Sequence, residues 1–273
     1  MRTPSSVTRS IYGNFLYARS RERNPSELKR PAIVFAPHQD DETLGCGGTI
    51  ALKLRAGAPV RIVFMTDGSR SHSRGISAQQ LARVRHDEAC KAAETLGLTE
   101  KHLTFLDFED GNLKDHFEEA STRVAELLTT ETPEEVFVPY RLDVHPDHLA
   151  TRSIVLSAAR KQVPGLYVSE YGVWFWRQWP WVGLGGSLKE TMDVARTTLN
   201  SRLGTRLFSA FRSSVRIAEV ANLKRAALEC HRSQMARLVP DVTWPTLRDV
   251  ARGEFIECFF RDHEFFHEYQ MVP

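Results

Sequence analysis

The chain has 273 residues, 42% of them hydrophobic and 26% charged, and its formal net charge is +2. A chain of this length can bury a large core, and its nearly balanced charge argues against nucleic-acid binding as the main role. The four cysteines are scattered without a C-x-x-C pair, which argues against a structural zinc cluster or a disulfide framework and favours a reducing compartment.

The sequence contains no evident targeting or membrane segment. No charged stretch at the N-terminus is followed by an apolar one, and nowhere do about 18 uncharged apolar residues follow one another. We therefore expect a soluble, cytoplasmic protein without a transmembrane segment. The pI of about 8.4 leaves open an attraction to an anionic substrate or a peripheral contact with a membrane surface. The oligomeric state is open as well.

The chain begins with a polar segment rich in Arg, Ser and Pro, residues 1–30, which we expect to form a surface lead-in to a domain over residues 31–273. Short apolar segments then alternate with longer segments of helical spacing, as is typical of parallel strands connected by helices. The predicted strands are 32–36, 60–65, 103–106, 136–139 and 166–169, and the predicted helices are 43–57, 78–97, 115–130 and 147–162. This pattern indicates a single doubly wound α/β domain.

The last third of the chain has a different character. The tryptophan-rich stretch YGVWFWRQWPWVGLGG covers residues 171–186, and an amphipathic pattern over 216–238 predicts a further helix. We expect this part to form a C-terminal helical or irregular extension of the domain.

Ligands of open α/β sheets bind beyond the carboxyl ends of the strands. The first loop of this kind contains PHQDDETLGCGG, residues 37–48, with His38, Asp40, Asp41 and Glu42 beside a buried strand. So many ionisable groups require a compensating partner, and a divalent metal is the simplest one. His38 and Asp41 can face one ion while Asp40 stays outside its coordination shell. The alternative is that the acids only cap the following helix.

A second histidine and acid cluster follows another predicted strand. The segment RLDVHPDHLATR, residues 141–152, places His145, Asp147 and His148 between that strand and a helix. Two such clusters at equivalent strand ends are expected to converge, and imidazole and carboxylate groups suit zinc, with iron or cobalt as alternatives. Asp147 either orients a histidine by a hydrogen bond or only caps the helix.

These residues carry a resemblance to a known family. PHQDDE resembles the P-H-P-D-D-E signature of the PIG-L/LmbE-like zinc-dependent N-deacetylases, and HPDH resembles their second signature. The similarity runs over about residues 32–235 through MTDG (65–68), RHDEACKAAETLG (85–97), EYGVW (170–174) and LKRAALECHRSQ (223–234). Gln39 replaces the usual second proline of the first signature. Because that side chain is not a ligand in the family, we expect only a change in loop rigidity.

The resemblance implies a Rossmann-like fold and an amide hydrolase that removes the acetyl group from N-acetylglucosamine-type substrates. By the same resemblance, His38, Asp41 and His148 match the zinc ligands. Asp40 matches the general base, and His145 matches the residue that polarises the carbonyl or protonates the leaving amine. The implied partner is a small molecule or glycan that carries an N-acetylated sugar, and its exact identity is open.

Other residues are candidates for substrate binding. Asp67 and Arg70 follow the second predicted strand, where charged groups suit sugar hydroxyls or phosphates, although a solvated loop is an equal alternative. Arg85 matches a family pattern on a predicted helix, and the alternative is that it forms an ordinary helical pair with Glu88. Trp174 belongs to the segment 172–188, which can be a substrate lid, a membrane contact or part of the core. Asp110 is most simply a turn residue.

The residues argue against three other functions. A dinucleotide-dependent oxidoreductase is disfavoured because Ile50 stands where G-x-G-x-x-G requires its third glycine. A metal-dependent phosphoesterase could use the same ligands, but the sequence shows no evident ligands for the second metal ion of a paired site. A non-catalytic carbohydrate-binding protein would not need a base and an acid beside the metal.

Overall fold

One eight-stranded sheet forms the centre of the fold. The computed structural model describes residues 4–72, 75–163, 165–183, 188–240 and 244–272. The strands are β1 Arg21–Glu22, β2 Ala32–Ala36, β3 Val60–Thr66, β4 Leu103–Phe108, β5 Glu135–Pro139, β6 Tyr167–Tyr171, β7 Ser213–Arg216 and β8 His263–Gln270. Their order in the sheet is β1-β7-β8-β6-β5-β2-β3-β4. All neighbouring pairs are parallel except those of β8, which is antiparallel to β6 and β7.

Helices flank the sheet on both faces. They are α1 Pro4–Arg19, α2 Pro25–Leu28, α3 Asp41–Arg55, α4 Ala78–Leu96, α5 Phe117–Glu131, α6 Pro146–Gln162, α7 Leu188–Asn200, α8 Arg206–Ala210, α9 Ala221–Cys230, α10 Arg232–Met235 and α11 Glu254–Glu257. Helices α3, α4 and α9 contribute to one buried cluster, and α5 and α6 to the other. This confirms the predicted α/β class with a mostly parallel sheet.

The central strand β2 shows why its sequence is continuously apolar. Val34 and Ala36 point into the cluster on one face of the sheet, whereas Ile33 and Phe35 point into the cluster on the other. Successive side chains of a strand alternate between faces. Because both faces are covered, every position of β2 is buried and must be apolar.

The C-terminal extension differs from its prediction. The helix predicted over 216–238 is wrong at its start, because Arg216 ends β7 and helix α9 begins only at Ala221. The end of the chain is not irregular but adds β8 between β6 and β7. The strand β8 reads HEFFHEYQ, and its pairing on both sides favours the extended backbone over any weak local preference.

The N-terminal lead-in is partly built into the fold. Residues 1–3 lie outside the described range, and β1 pairs with β7. Arg23 is buried, and its Nη1 atom lies 2.7 Å from Oε1 of Glu135, whose Oε2 lies 2.8 Å from Nζ of Lys53. Buried charges of this kind are tolerated when they are paired. In the described residues, no helix has both the length and the apolar character needed to cross a bilayer.

Gly45 in α3 allows close packing against Tyr171. A Cβ atom at position 45 would lie 2.2 Å from Cδ2 of Tyr171, whose hydroxyl donates to the Phe35 carbonyl at 2.8 Å. We expect Gly45→Ala to lower the free energy of unfolding by about 2 kcal/mol through overpacking. Urea denaturation measures the change.

Gly13→Ala is the matched control, because a Cβ atom at that position of α1 meets nothing within 4 Å. It should raise the free energy of unfolding by about 1 kcal/mol through helix propensity. Equal effects of the two substitutions would contradict the packing argument.

Candidate metal centre

Two loops bring the two histidine clusters together. His38 follows β2, and His145 and His148 follow β5, the parallel neighbour of β2 in the sheet. Since the carboxyl ends of parallel strands lie at one edge of a sheet, the loops meet there. The ring centroids of His38 and His145 are 4.8 Å apart, and those of His38 and His148 are 5.5 Å apart.

The carboxylate of Asp41 lies between the imidazoles of His38 and His148. Oδ2 of Asp41 lies 3.1 Å from Nδ1 of His38 and 3.2 Å from Nε2 of His148. Two ligands of a tetrahedral zinc ion, each about 2.1 Å from it, are separated by roughly 3.4 Å. His148 is fully buried, and neither of its ring nitrogens has a hydrogen-bond partner in the described residues. The donor set therefore fits a divalent cation.

The charge balance of the cluster also favours a cation. Burial lowers the pKa of His148, but the charges of Asp41 and Asp143 outweigh it and raise this pKa to about 9. Burial opposes ionisation of Asp41, yet the charge of His148 and its contacts with both imidazoles lower the pKa of that carboxyl. A metal ion can provide the positive charge that protonated imidazoles would otherwise supply, and it competes with protons for the same atoms.

Two carboxylates orient the His38 ring. Oδ2 of Asp147 and Oδ1 of Asp110 each lie 3.2 Å from Nε2 of His38. Carboxylates thus face both ring nitrogens of His38, since Oδ2 of Asp41 lies 3.1 Å from Nδ1. A cation held by Nδ1 would leave the ring proton on Nε2, where it faces Asp147 and Asp110. The carboxylate of Asp147 also accepts hydrogen bonds from the backbone N–H groups of Gly111 and Leu113. Asp147 thus orients a histidine, whereas the side chain of His145 caps α6.

Asp40 lies beside the cluster and has different contacts. Its backbone has a φ of 144°, a value that L residues rarely adopt. The Nη2 atom of Arg85 donates to Oδ1 of Asp40 at 3.2 Å and to the Gln39 carbonyl at 2.6 Å. Burial raises the pKa of Asp40 to about 6 against the opposing charge of Arg85. At neutral pH, Asp40 is therefore a carboxylate able to accept a proton.

His145 is a neutral imidazole at neutral pH. Burial, together with the charges of His38 and His148, lowers the pKa of His145 to about 4. Its Nδ1 atom accepts the Asp147 backbone N–H at 3.3 Å, so the single ring proton is on Nε2. His145 is therefore placed to act as a hydrogen-bond donor at the cluster.

A cavity of about 340 Å³ opens over the cluster. Its lining includes Asp40, Asp41 and His145 together with three of the residues proposed to bind substrate, Arg70, Arg85 and Trp174.

The fourth proposed substrate residue, Asp67, is not among the residues that line this cavity. Its Oδ1 atom accepts the backbone N–H groups of Ser69 and Asp110, so Asp67 supports the neighbouring loop. The ring of Trp174 stacks on Phe255 with the centroids 5.0 Å apart. Two parts of the loops considered for substrate binding, 73–74 and 184–187, lie outside the described residues.

Comparison with known proteins identifies the domain. Residues 33–159 match the family model PIG-L, described as GlcNAc-PI de-N-acetylase. These residues belong to the PIG-L family. The signatures PHQDDE and HPDH both lie within the matched PIG-L segment, as the sequence predicted.

Individual relatives of the PIG-L domain cover different shares of the chain. A diacetylchitobiose deacetylase from Thermococcus kodakarensis is 32% identical over 123 residues, which are 44% of this chain and 45% of that protein. The chain thus spans less than half of that relative. A 1D-myo-inositol 2-acetamido-2-deoxy-alpha-D-glucopyranoside deacetylase from Mycobacterium sp. (strain KMS) is 28% identical over 245 residues, 77% of this chain and 76% of that protein.

A solved structure shares the fold over the whole length. The N,N'-diacetylchitobiose deacetylase from Pyrococcus horikoshii is 21% identical and superposes with a TM-score of 0.64 over 100% of this chain and 97% of that chain. At this identity the likeness establishes the fold of this chain and not its activity.

Several contacts of the PIG-L site could not be found from the sequence. Asp110, interpreted as a turn residue, contacts His38. Oδ2 of Asp143 lies 3.6 Å from Nδ1 of His148 and accepts the Val173 backbone N–H. Asp143 stands two residues before His145 in the sequence. Because ionisable residues are common in loops, this position alone does not identify Asp143 as a contact of His148.

A third missed contact supports the backbone of Asp40. The Asp40 N–H donates to Oε2 of Glu42 at 3.0 Å, and Oε1 of Glu42 lies 3.1 Å from Nε2 of His231. Both Glu42 and His231 are buried. His231 lies within the family-like segment LKRAALECHRSQ, but its partner is 189 positions away in sequence.

We expect His231→Asn to reduce kcat about tenfold, in the range found when partners of active-site ligands are removed, with KM and metal content unchanged. Loss of the His231 contact frees Glu42, which holds the unusual backbone of Asp40. Steady-state kinetics with a substrate of the protein checks the split between kcat and KM. His86→Asn, on the partly exposed side of α4, is the control and should change neither. A substitution of His231 that lowers the metal content instead would contradict this role.

Proposed function

We propose that the protein is a zinc-dependent N-deacetylase that hydrolyses the acetamide of an N-acetylated sugar of the N-acetylglucosamine type. The observation that carries this proposal is the convergence of His38, Asp41 and His148, with Asp40 and His145 at the mouth of the same cavity. The T. kodakarensis and Mycobacterium relatives, which are named as deacetylases of acetamido sugars, support it.

The proposed metal supplies what the side chains cannot. Zinc with three protein ligands keeps a position for water, lowers the pKa of that water from about 15.7 towards about 7 and polarises a carbonyl. The ligands would be Nδ1 of His38, Oδ2 of Asp41 and Nε2 of His148, since Oδ2 of Asp41 lies beside both of these nitrogens. Iron or cobalt remains an alternative, because nitrogen and oxygen ligands discriminate weakly between these ions.

Side chains of the protein accept the protons and donate the hydrogen bonds that the reaction needs. Asp40, held by Arg85, accepts the proton of the attacking water as the carbonyl carbon is attacked. The neutral His145 donates a hydrogen bond from Nε2–H to the negative charge that develops on the carbonyl oxygen, and Asp40 passes the proton that it accepted to the departing amine. Asp147 keeps the His38 ring in the orientation and tautomer that direct Nδ1 at the metal position.

The size and lining of the cavity support the proposed substrate class. A cavity of about 340 Å³ is at the small end of the range for ligand sites, which suits one sugar ring at the metal with the rest of the substrate outside. Arg70 and Trp174 line this cavity and would contact the sugar. The four cysteines are free, which fits a cytoplasmic location.

A panel of N-acetylated saccharides and their lipid or nucleotide conjugates tests the function. We expect the zinc-loaded protein to release acetate and a primary amine in equal amounts from at least one member, and to lose this activity on chelation. Phosphate release from aryl phosphates without acetate release would favour the phosphoesterase alternative. Binding of the saccharides without turnover would favour a carbohydrate-binding protein. Either result would contradict the proposed function.

A further inference from the structure

A second cavity lies apart from the metal centre. It has a volume of about 640 Å³ and is formed by residues 141–144, Leu149, Phe175 and Arg177, by α7 and the residues that follow it, and by the start of α8. No residue lines both this cavity and the cavity over the metal cluster. The resemblance to PIG-L proteins assigned no role to α7 or to its residues.

The second cavity carries an excess of positive charge. Four arginines line it: Arg141, Arg177, Arg196 and Arg206. Within the described ranges, neither Arg196 nor Arg206 forms an ion pair with a carboxylate. Such a concentration of guanidinium groups in one concavity creates a positive potential that attracts an anion.

The carboxylates of this cavity do not neutralise the arginines. Asp143 is buried, and its Oδ2 accepts the Val173 backbone N–H at 2.8 Å and lies 3.6 Å from Nδ1 of His148. Within the described residues, Asp143 forms no ion pair with an arginine. Asp193 lies 3.7 Å from Nη2 of Arg177 and can balance only that arginine. At least two guanidinium groups of the cavity are therefore left for a ligand.

We propose that this arginine cavity binds a phosphate group. The planar guanidinium fork matches the spacing of phosphate oxygens and binds them in pairs. The phosphate could belong to a free phosphorylated metabolite or to the headgroup of an anionic phospholipid, because the shared chemistry is the same. This site does not depend on the metal centre or on the proposed deacetylation.

The rim of the cavity gives a reason to include the lipid source. Val144 and Leu149 line the cavity and are 55% and 39% exposed. On α7, Met192 and Leu199 do not line the cavity but are next in sequence to the lining residues Asp193 and Asn200, and they are 63% and 70% exposed. Exposed apolar side chains beside basic groups are typical of surfaces that enter the interface of anionic membranes.

Calorimetric titration of the zinc-loaded protein with inorganic phosphate tests the site. We expect the double variant Arg196→Gln, Arg206→Gln to weaken phosphate binding at least about tenfold, because two charge-assisted contacts are lost. Arg83→Gln, at an exposed position of α4, is the control and should bind as the wild type does. Phosphate bound at the metal centre would be unaffected by all three substitutions, so the difference reports the arginine cavity.

Co-sedimentation with vesicles separates the two sources. Phosphatidylcholine vesicles that contain phosphatidylglycerol would retain the wild type but not the double variant if the headgroup is the ligand, and would retain neither if the ligand is a free anion. Either pattern, together with weaker phosphate binding by the double variant, supports the proposed phosphate site. Thermal melting verifies folding, and Arg196→Glu, at an exposed position, serves if the double variant does not fold. Equal phosphate and vesicle binding by the wild type and the variants would overturn the proposal.

Discussion

Replacement of Asp40 by Asn is expected to lower kcat by about 10²- to 10⁴-fold, the usual contribution of a general base, while the zinc content stays near that of the wild type. Asn cannot accept the proton of the attacking water, but it can keep the contact with Arg85. It also tolerates the positive φ of position 40 better than Ala does. Asp87→Asn, at an exposed position of α4, is the control and should leave both quantities unchanged.

The pH profile gives a second view of Asp40. Because burial raises the pKa of Asp40 to about 6, the group is protonated and inactive as a base below that value. The activity of the wild type should therefore rise with pH, and a bound cation, which stabilises the carboxylate, places the midpoint at or below about 6. The Asp40→Asn variant should lose this acidic limb. Near-normal activity of the variant would show that Asp40 is not the base.

Replacement of His148 by Ala is expected to remove metal and activity together. His148 is fully buried, and its Nε2 atom faces Oδ2 of Asp41. Loss of groups that only orient a ligand weakens metal binding by about 10- to 100-fold, so loss of a ligand should weaken it by more than about 100-fold. Zinc analysis of the purified variant, together with the acetate assay, checks the result.

His145→Ala is the discriminating control for the ligand set. The donor atoms of His38, His145 and His148 all lie within 4.8 Å of one another, so distance alone does not exclude His145 as a ligand. We propose that His145 is a hydrogen-bond donor and not a metal ligand. Its Nδ1 atom accepts the Asp147 backbone N–H, so the ring proton is on Nε2 and neither nitrogen has a free lone pair for a metal. His145→Ala should therefore lose activity and keep zinc. Loss of zinc in this variant would show that His145 is a zinc ligand in place of Asp41 or His148.

The central part of the fold could be predicted because its signals are local. The apolar run 32–36 is buried on both faces, and the structure places β2 at these residues. The helix predicted over 78–97 is observed as α4, which ends before Gly97, a residue with a φ of 102°. Such signals lie within a few residues of the element that they define.

The edge of the sheet could not be predicted in the same way. Strands β7 and β1 have four and two residues, and they pair only with segments far away in the sequence. Strand β8 is inserted between β6 and β7 from the end of the chain. No local pattern reveals such pairing, because tertiary contacts and not propensity select these strands.

In the candidate site, too, some contacts could be predicted from the sequence and others could not. The convergence of His38 with His148 could be predicted because both follow parallel strands at one edge of a sheet. The contacts of Glu42 with His231 and of His38 with Asp110 link loops whose relative positions depend on the whole fold. The substrate role of Asp67 stays a prediction, and the sequence did not reveal that its Oδ1 atom accepts backbone N–H groups of the neighbouring loop.

Anomalous diffraction at the zinc absorption edge, from crystals of the zinc-loaded protein, tests the central claim most directly. We expect one strong peak within bonding distance of Nδ1 of His38, Oδ2 of Asp41 and Nε2 of His148, with Asp40 beside it but not bound. A peak elsewhere, or no peak while these three side chains turn away from one another, would contradict the claim that they form one metal site.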